Sequence, residues 1–234
     1  ISSSASFLSI VLPFSFFLFF GKRKLSDTVL VEKNGVLNSV LLVFAGLAVS
    51  VLMNILANRI SQLLEGAGLN GDANTADLLA MTPVQALTMF VSVVLVAPVT
   101  EEFAFRSVTT AVMRRWGDWP AVIFSALIFG MAHYSIQSLP VVLTAGFVMA
   151  LLYVRTRNIW VNIFVHMLNN LLATLPIALE GLVGADAANI ASNLLTYIVY
   201  GLGLIALVVL LIRNFTGHKV FRTPMQRGVP VRGK

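Results

Sequence analysis

From Val36 onward the chain is a succession of apolar runs, each interrupted by a few charged or glycine-rich residues. In lipid every backbone amide must find its partner inside the protein, so a run of about 20 apolar residues is committed to a spanning helix. Seven such spans are expected, at Phe7–Phe20, Val36–Ala57, Val84–Met113, Pro120–His133, Val141–Val154, Ile159–Leu179 and Asn193–Ile212, or eight if an N-terminal span precedes Ile1. The expected fold class is therefore all-α, a polytopic transmembrane helix bundle. One membrane domain should occupy 1–234, with its core at about 83–176 and a basic tail at 213–234. Composition agrees: 58% of residues are hydrophobic and 11% charged, against about half and a quarter in soluble domains. There is no cysteine, which removes disulfides, thiolate ligands and a cysteine nucleophile from consideration.

A net charge of +6 would suit a nucleic-acid binder if the basic residues shared one surface. They lie between spans instead, so no nucleic-acid partner is expected. Lys22, Arg23, Lys24 and Lys33 follow the first span, Arg106, Arg114 and Arg115 close the third, Arg155 and Arg157 follow the fifth, and Arg213 opens a basic tail. Only Arg59 falls in an alternate loop, where Glu65, Asp72, Asp77, Glu180 and Asp186 gather. Short cytoplasmic loops collect Lys and Arg, so the pattern predicts a multi-pass protein with a cytoplasmic C-terminus. Between spans, Asn58 to Glu65 suggests a short interfacial amphipathic stretch ahead of a glycine-rich loop. Thr82-Pro83-Val84-Gln85 has the N-cap, N1 proline and N3 glutamine of a capping box.

Charge inside a span costs about 2.5–3.5 kcal/mol on insertion scales, so Glu101, Glu102 and Arg106 require an explanation. Glu102 and Arg106 are one turn apart and can neutralise each other, while Glu101 points about 100° away. Pro98, one turn earlier, should kink the helix and free a carbonyl, making room for water beside Glu101. The blander reading places all three charges at the membrane surface, snorkelling from a helix end. His133 weighs against it: Glu101 and His133 are equally far from the turn at Gly117, about 24 Å of regular helix, so in a hairpin they reach the same depth. His166 and Asn170, with Asn169 as a neighbouring alternative, project from one face of the sixth span. Polar groups on three helices are most cheaply accommodated in one hydrated cavity.

A glutamate and a histidine flanking one water can activate it for attack on a carbonyl, and imidazole or amide N–H groups can stabilise the resulting oxyanion. We assign Glu101 as the base, His133 as its assistant, His166 and Asn170 as oxyanion donors, and Glu102 with Arg106 as a supporting ion pair. No cofactor is then required. The alternative is zinc held by Glu101, His133 and His166 with a fourth position open to water. Spans without aspartate, and a chain without H-E-x-x-H or G-x-S-x-G, give no support to other hydrolytic centres.

These motifs, E-E-x-x-x-R at Glu101 to Arg106, F-x-x-x-H at Phe129 to His133 and H-x-x-x-N at His166 to Asn170, resemble those of the CPBP family. That family includes type II CAAX prenyl endopeptidases and bacteriocin-processing or self-immunity (ABI) proteins. The resemblance covers roughly Pro83 to Pro176. It implies an intramembrane endopeptidase whose catalytic glutamate and first histidine are Glu101 and His133, whose oxyanion-binding pair is His166 and Asn170, and whose mechanism is glutamate-dependent without a catalytic metal. The expected partners are the bilayer and a peptide or protein tail delivered through it, with lipidation left open. The competing function is a non-catalytic membrane immunity or scaffold protein using the same cavity for docking; a transporter, testable by solute flux, ranks third. Oligomeric state is not encoded.

Overall fold

The computed structural model describes residues 12–16, 18–21, 24–69, 82–133, 135–218 and 220–223. Its framework is helical throughout: α1 (Val36–Gly66), α2 (residues 83–116), α3 (Asp118–Met131), α4 (Leu139–Thr156), α5 (Ile159–Val183) and α6 (Ala185–Phe215). Among the described residues five helices are long and apolar enough to cross a membrane, and α3 is a shorter apolar helix. Large side chains such as Leu63, Leu182, Tyr197, Ile205 and Phe215 are exposed on the outside of the bundle. Apolar surface on that scale is incompatible with water, and the chain is an integral membrane protein.

Several expected boundaries move. The first span, Phe7–Phe20, lies partly outside the described residues; residues 12–16 and 18–20 are helical. The amphipathic stretch from Asn58 to Glu65 is not a separate interfacial element but the last two turns of α1, which closes only at Ala67 and the left-handed Gly68. Nothing between Ala57 and Gly66 stops a helix, because polar residues in the sequence register a change of solvent, not a change of backbone. For the same reason α6 starts at Ala185, ahead of the apolar run beginning at Asn193. The loop that carries Asp72 and Asp77 lies outside the described residues.

α1 is the central post, packed against α6, α4 and α5, while α3 leans on α4. Small residues let backbones approach, which substitutes for the hydrophobic driving force that lipid removes. A Cβ at Gly203 of α6 would come within 2.5 Å of the Phe44 carbonyl oxygen on α1, and one at Gly146 of α4 within 2.9 Å of the Phe129 ring on α3. The second contact matters to the site, because it seats Phe129 deep in the bundle. Leu42, Leu47, Phe105, Phe129, Met149, Val161, Val165 and Leu210 form the main buried cluster.

The basic loops meet at one end. Val31 pairs with Asn158 in an isolated antiparallel bridge, supported by Glu32 N–H donating to the Arg157 carbonyl and Ile159 N–H to the Leu30 carbonyl. The Glu32 carboxylate accepts from Arg157 at 3.3 Å and pairs with Arg222 at 2.9 Å, so the segment after the first span, the α4–α5 turn and the start of the tail are tied together. Loops that the charge pattern put on one side of the membrane do converge.

Candidate active site

The capping box forms as the sequence suggests. Thr82 Oγ1 accepts from Gln85 N–H at 3.3 Å, and Gln85 Oε1 accepts from Thr82 N–H at 2.8 Å. α2 then departs from a regular helix. It is α-helical over Pro83–Val91, π-helical over Ser92–Val96, α-helical over Ala97–Glu101 and π-helical again over Glu102–Thr109. Wide turns of this kind occur chiefly at functional sites, and here they flank Glu101 on both sides.

Pro98 accounts for the first of them. The carbonyl that the proline is expected to free lies in a locally rewound stretch. Ala97 N–H bonds back five residues to Ser92, and Pro98 has no N–H to take the next carbonyl, that of Val93. Asn170 supplies the missing donor from α5: its Nδ2 donates to Val93 O at 2.9 Å. Asn170, rather than the neighbouring Asn169, therefore faces α2 at this contact, held by a bond to the carbonyl that proline leaves without a partner. Its amide retains a second N–H.

Glu102 is the hub. Its side chain is fully buried, and Oε2 lies 3.2 Å from Arg106 Nε, also fully buried. The expected pair is formed, but Glu102 does more than neutralise Arg106. Its Oε1 accepts from His166 Nδ1 at 2.9 Å, and Oε2 also accepts from Asn162 Nδ2 at 3.2 Å. Asn162 in turn donates to the Met149 carbonyl at 2.6 Å, linking α2, α4 and α5 through one carboxylate. The sequence reading missed Asn162. The signal was available: Asn162, His166 and Asn170 recur at intervals of four, a continuous polar stripe on an otherwise apolar helix. The Arg106 guanidinium carbon sits 4.2 Å from the centroid of the Phe129 ring, where the π face compensates the cation on its other side.

Glu101 is less enclosed, with 15% of its side chain exposed, and its Oε2 is 3.7 Å from His166 Nε2. That is too long for a direct hydrogen bond but leaves one water oxygen in reach of both atoms. The two glutamates thus bracket the two nitrogens of one imidazole. This fixes a tautomer that the sequence could not: with Nδ1–H donated to the Glu102 carboxylate, a neutral His166 presents a lone pair at Nε2. It can donate from Nε2 to an oxyanion only when both ring nitrogens carry protons, so the neutral-imidazole donor expected from sequence does not apply at His166.

His133 sits in a turn, not within the regular helix that the hairpin estimate assumed. α3 ends at Met131, so His133 lies in the turn beyond it and is exposed. Its Nδ1 donates to the Phe129 carbonyl at 2.8 Å, and its ring meets the Phe129 ring edge-on at 4.7 Å. Phe129 also contacts His166, at 5.9 Å between ring centroids, so the two histidines flank one phenylalanine. Glu101 has its histidine contact with His166, not with His133. The equal-depth argument assumed regular helices on both sides of Gly117, and neither α2 nor the end of α3 is regular. Among the described residues no three His, Asp or Glu side chains converge as a metal-ligand set. With His133 turned onto a carbonyl, Glu101, His133 and His166 do not form a zinc site in this arrangement.

Comparisons with known proteins bear on the same segment. A family model described as Type II CAAX prenyl endopeptidase Rce1-like matches residues 83–172. The chain is 31% identical over 140 residues to "Putative membrane peptidase YdiL" of Bacillus subtilis (strain 168), an alignment covering 59% of this chain and 57% of that protein. The chain thus matches a little over half the length of this relative. No solved structure matches.

Proposed function

We propose that the chain, whose residues 83–172 match the Rce1-like model and which resembles a putative membrane peptidase, is a membrane endopeptidase of the CPBP family that cleaves a peptide or protein tail presented from the bilayer, one carrying a lipid being the favoured class. The observation that carries this reading is the bracketing of His166 by Glu101 and Glu102 inside an apolar bundle. A buried scaffold needs its charges paired, and Glu102 with Arg106 satisfies that need. Glu101 is the less enclosed of the two carboxylates, and it is aimed at a nitrogen that it does not directly bond.

Glu101 accepts a proton from a water whose oxygen attacks the scissile carbonyl, and later passes that proton to the leaving amine. The second N–H of Asn170 donates to the oxyanion. His166 joins it from Nε2 in the form that carries both ring protons, a charge that Glu101 and Glu102 offset. His133, with Nδ1–H held by the Phe129 carbonyl, has Nε2 as its accepting nitrogen, and the family resemblance gives it the role of assisting at the water. Asn162 and Arg106 hold Glu102 in place and touch no substrate. The reading requires no metal. The convergence of basic segments at one end supports a cytoplasmic C-terminus, and the resemblance to a Bacillus subtilis protein supports a bacterial plasma membrane.

Purified protein is incubated with a quenched-fluorescent lipidated peptide library, alongside Glu101→Gln and with or without a zinc chelator. Cleavage by the wild type, lost in Glu101→Gln and unchanged by chelator, is expected. An inactive wild type, or a fully active Glu101→Gln, overturns the proposal, and activity lost to chelator and restored by zinc replaces the mechanism with the metal-dependent one.

A further inference from the structure

Two helices that start at the basic end of the bundle leave a groove between them that the proposed site does not use. α1 begins after Gly35 and α5 after Asn158, and the Val31–Asn158 bridge holds the preceding segments side by side. Between the helices runs a groove of about 610 Å³, walled by Val40, Phe44, Trp160, Phe164 and Leu168, with Lys33 at its rim. Val40, Trp160 and Phe164 are 47%, 52% and 51% exposed, so the groove opens toward the bilayer rather than into the core. None of Glu101, Glu102, His133, His166 or Asn170 lines it. Val161, Phe164 and Leu168 lie on the face of α5 roughly opposite the Asn162–His166–Asn170 stripe, so a chain in this groove stands with its back to the proposed chemistry.

The rim is positively biased. Lys33 is exposed and has no ion pair among the described residues. The first turns of α1 and α5 contain no acidic residue. Glu32, its sequence neighbour, is engaged by Arg157 and Arg222. We infer that this groove is a binding site for an anionic phospholipid of the bilayer, with one acyl chain between α1 and α5 and the phosphate at Lys33. The chain contributes little selectivity, because lipid tails exchange one apolar surrounding for another. Preference arises at the rim, where one basic side chain near the surface favours an anionic over a zwitterionic headgroup by about fivefold. A lipid seated there braces the Lys24–Asn34 segment against α5. The inference does not depend on the peptidase reading.

The test uses the full chain with Trp116→Phe and Trp119→Phe, so that Trp160 in the groove wall is the remaining one of three tryptophans. The protein is placed in nanodiscs of phosphatidylcholine, and phosphatidylglycerol or phosphatidylcholine with brominated acyl chains is titrated in while Trp160 fluorescence is read. Half-quenching at about fivefold lower mole fraction of the brominated phosphatidylglycerol is expected, with the preference retained in Lys33→Arg and lost in Lys33→Gln. Val40→Phe, which fills the groove, should lessen quenching by both lipids. Equal quenching by the two headgroups, or a preference that survives Lys33→Gln, shows unselective annular lipid and overturns the inference.

Discussion

The Glu102–Arg106 pair supplies the sharpest physical test of this architecture, because both side chains are fully buried and 3.2 Å apart. Arg106→Met removes the cation but leaves the carboxylate in an apolar bundle with only His166 and Asn162 as donors. Breaking a buried pair from one side costs about 3–5 kcal/mol, since the remaining charge is uncompensated. Glu102→Gln should cost about as much, by orphaning the guanidinium. It has a second defect: His166 Nδ1 and Asn162 Nδ2 both donate to the carboxylate, so a glutamine must turn its own NH2 toward one of these donors. Removing both charges leaves only that conflict, about 1–3 kcal/mol for one unmade buried bond. The double variant Glu102→Gln/Arg106→Met should therefore be more stable than either single one, with a coupling of at least about 2 kcal/mol. Reversible unfolding in mixed micelles, followed by helical circular dichroism, measures all four corners of the cycle. Strict additivity, within about 0.5 kcal/mol, would mean the two groups do not compensate each other and would refute the reasoning.

Further expectations concern the groups around this pair. Glu101→Gln should lower peptide cleavage by about 10²–10⁴-fold, as for loss of a general base, with little change in the unfolding midpoint because Glu101 makes no direct hydrogen bond at its 3.7 Å contact with His166; a strongly destabilised variant would assign Glu101 to structure. Asn162→Ala should destabilise by about 1.5–3 kcal/mol through its bond to a charged acceptor, and should also slow cleavage while leaving KM near the wild-type value, measured by unfolding and steady-state kinetics side by side. Asn170→Ala should lose about 1–3 kcal/mol because the Val93 carbonyl then lacks its donor. Pro98→Ala combined with Asn170→Ala should regain part of that stability, since a backbone N–H returns at position 98, but should not regain cleavage.

The sequence was most informative where a single local rule governs the outcome. Thr82 to Gln85 could be identified as a helix start because a capping box is complete within four residues. Glu102 and Arg106, and likewise His166 and Asn170, could be put on common faces because helical spacing fixes direction. Less legible was what depends on regularity over longer distances. The meeting of Glu101 with His133 assumed two uninterrupted helices, whereas α2 contains two π-helical segments and α3 stops before His133. Pro98 was recognised as a disturbance, yet its resolution by a side chain from α5 is a tertiary event with no local trace. Asn162 was overlooked for a different reason. A lone amide in a span is usually interhelical glue, and its significance appears only once Glu102 is seen to have an oxygen in reach of it.

Phe129 shows why the motif containing His133 needs an aromatic residue as well as a histidine. Its ring lies under the Arg106 guanidinium at 4.2 Å, and stands edge-on to Phe105, His133 and His166. Its carbonyl, at the frayed end of α3, holds His133 Nδ1. One residue thus supplies a face to the cation that balances Glu102, an edge to the imidazole that Glu102 orients, and an acceptor to the second histidine. An aliphatic side chain could fill the volume beside Gly146 but could offer the cation no quadrupole, leaving that face of Arg106 uncompensated. Because the same ring touches both imidazoles, a substitution at Phe129 should disturb His133 and His166 together.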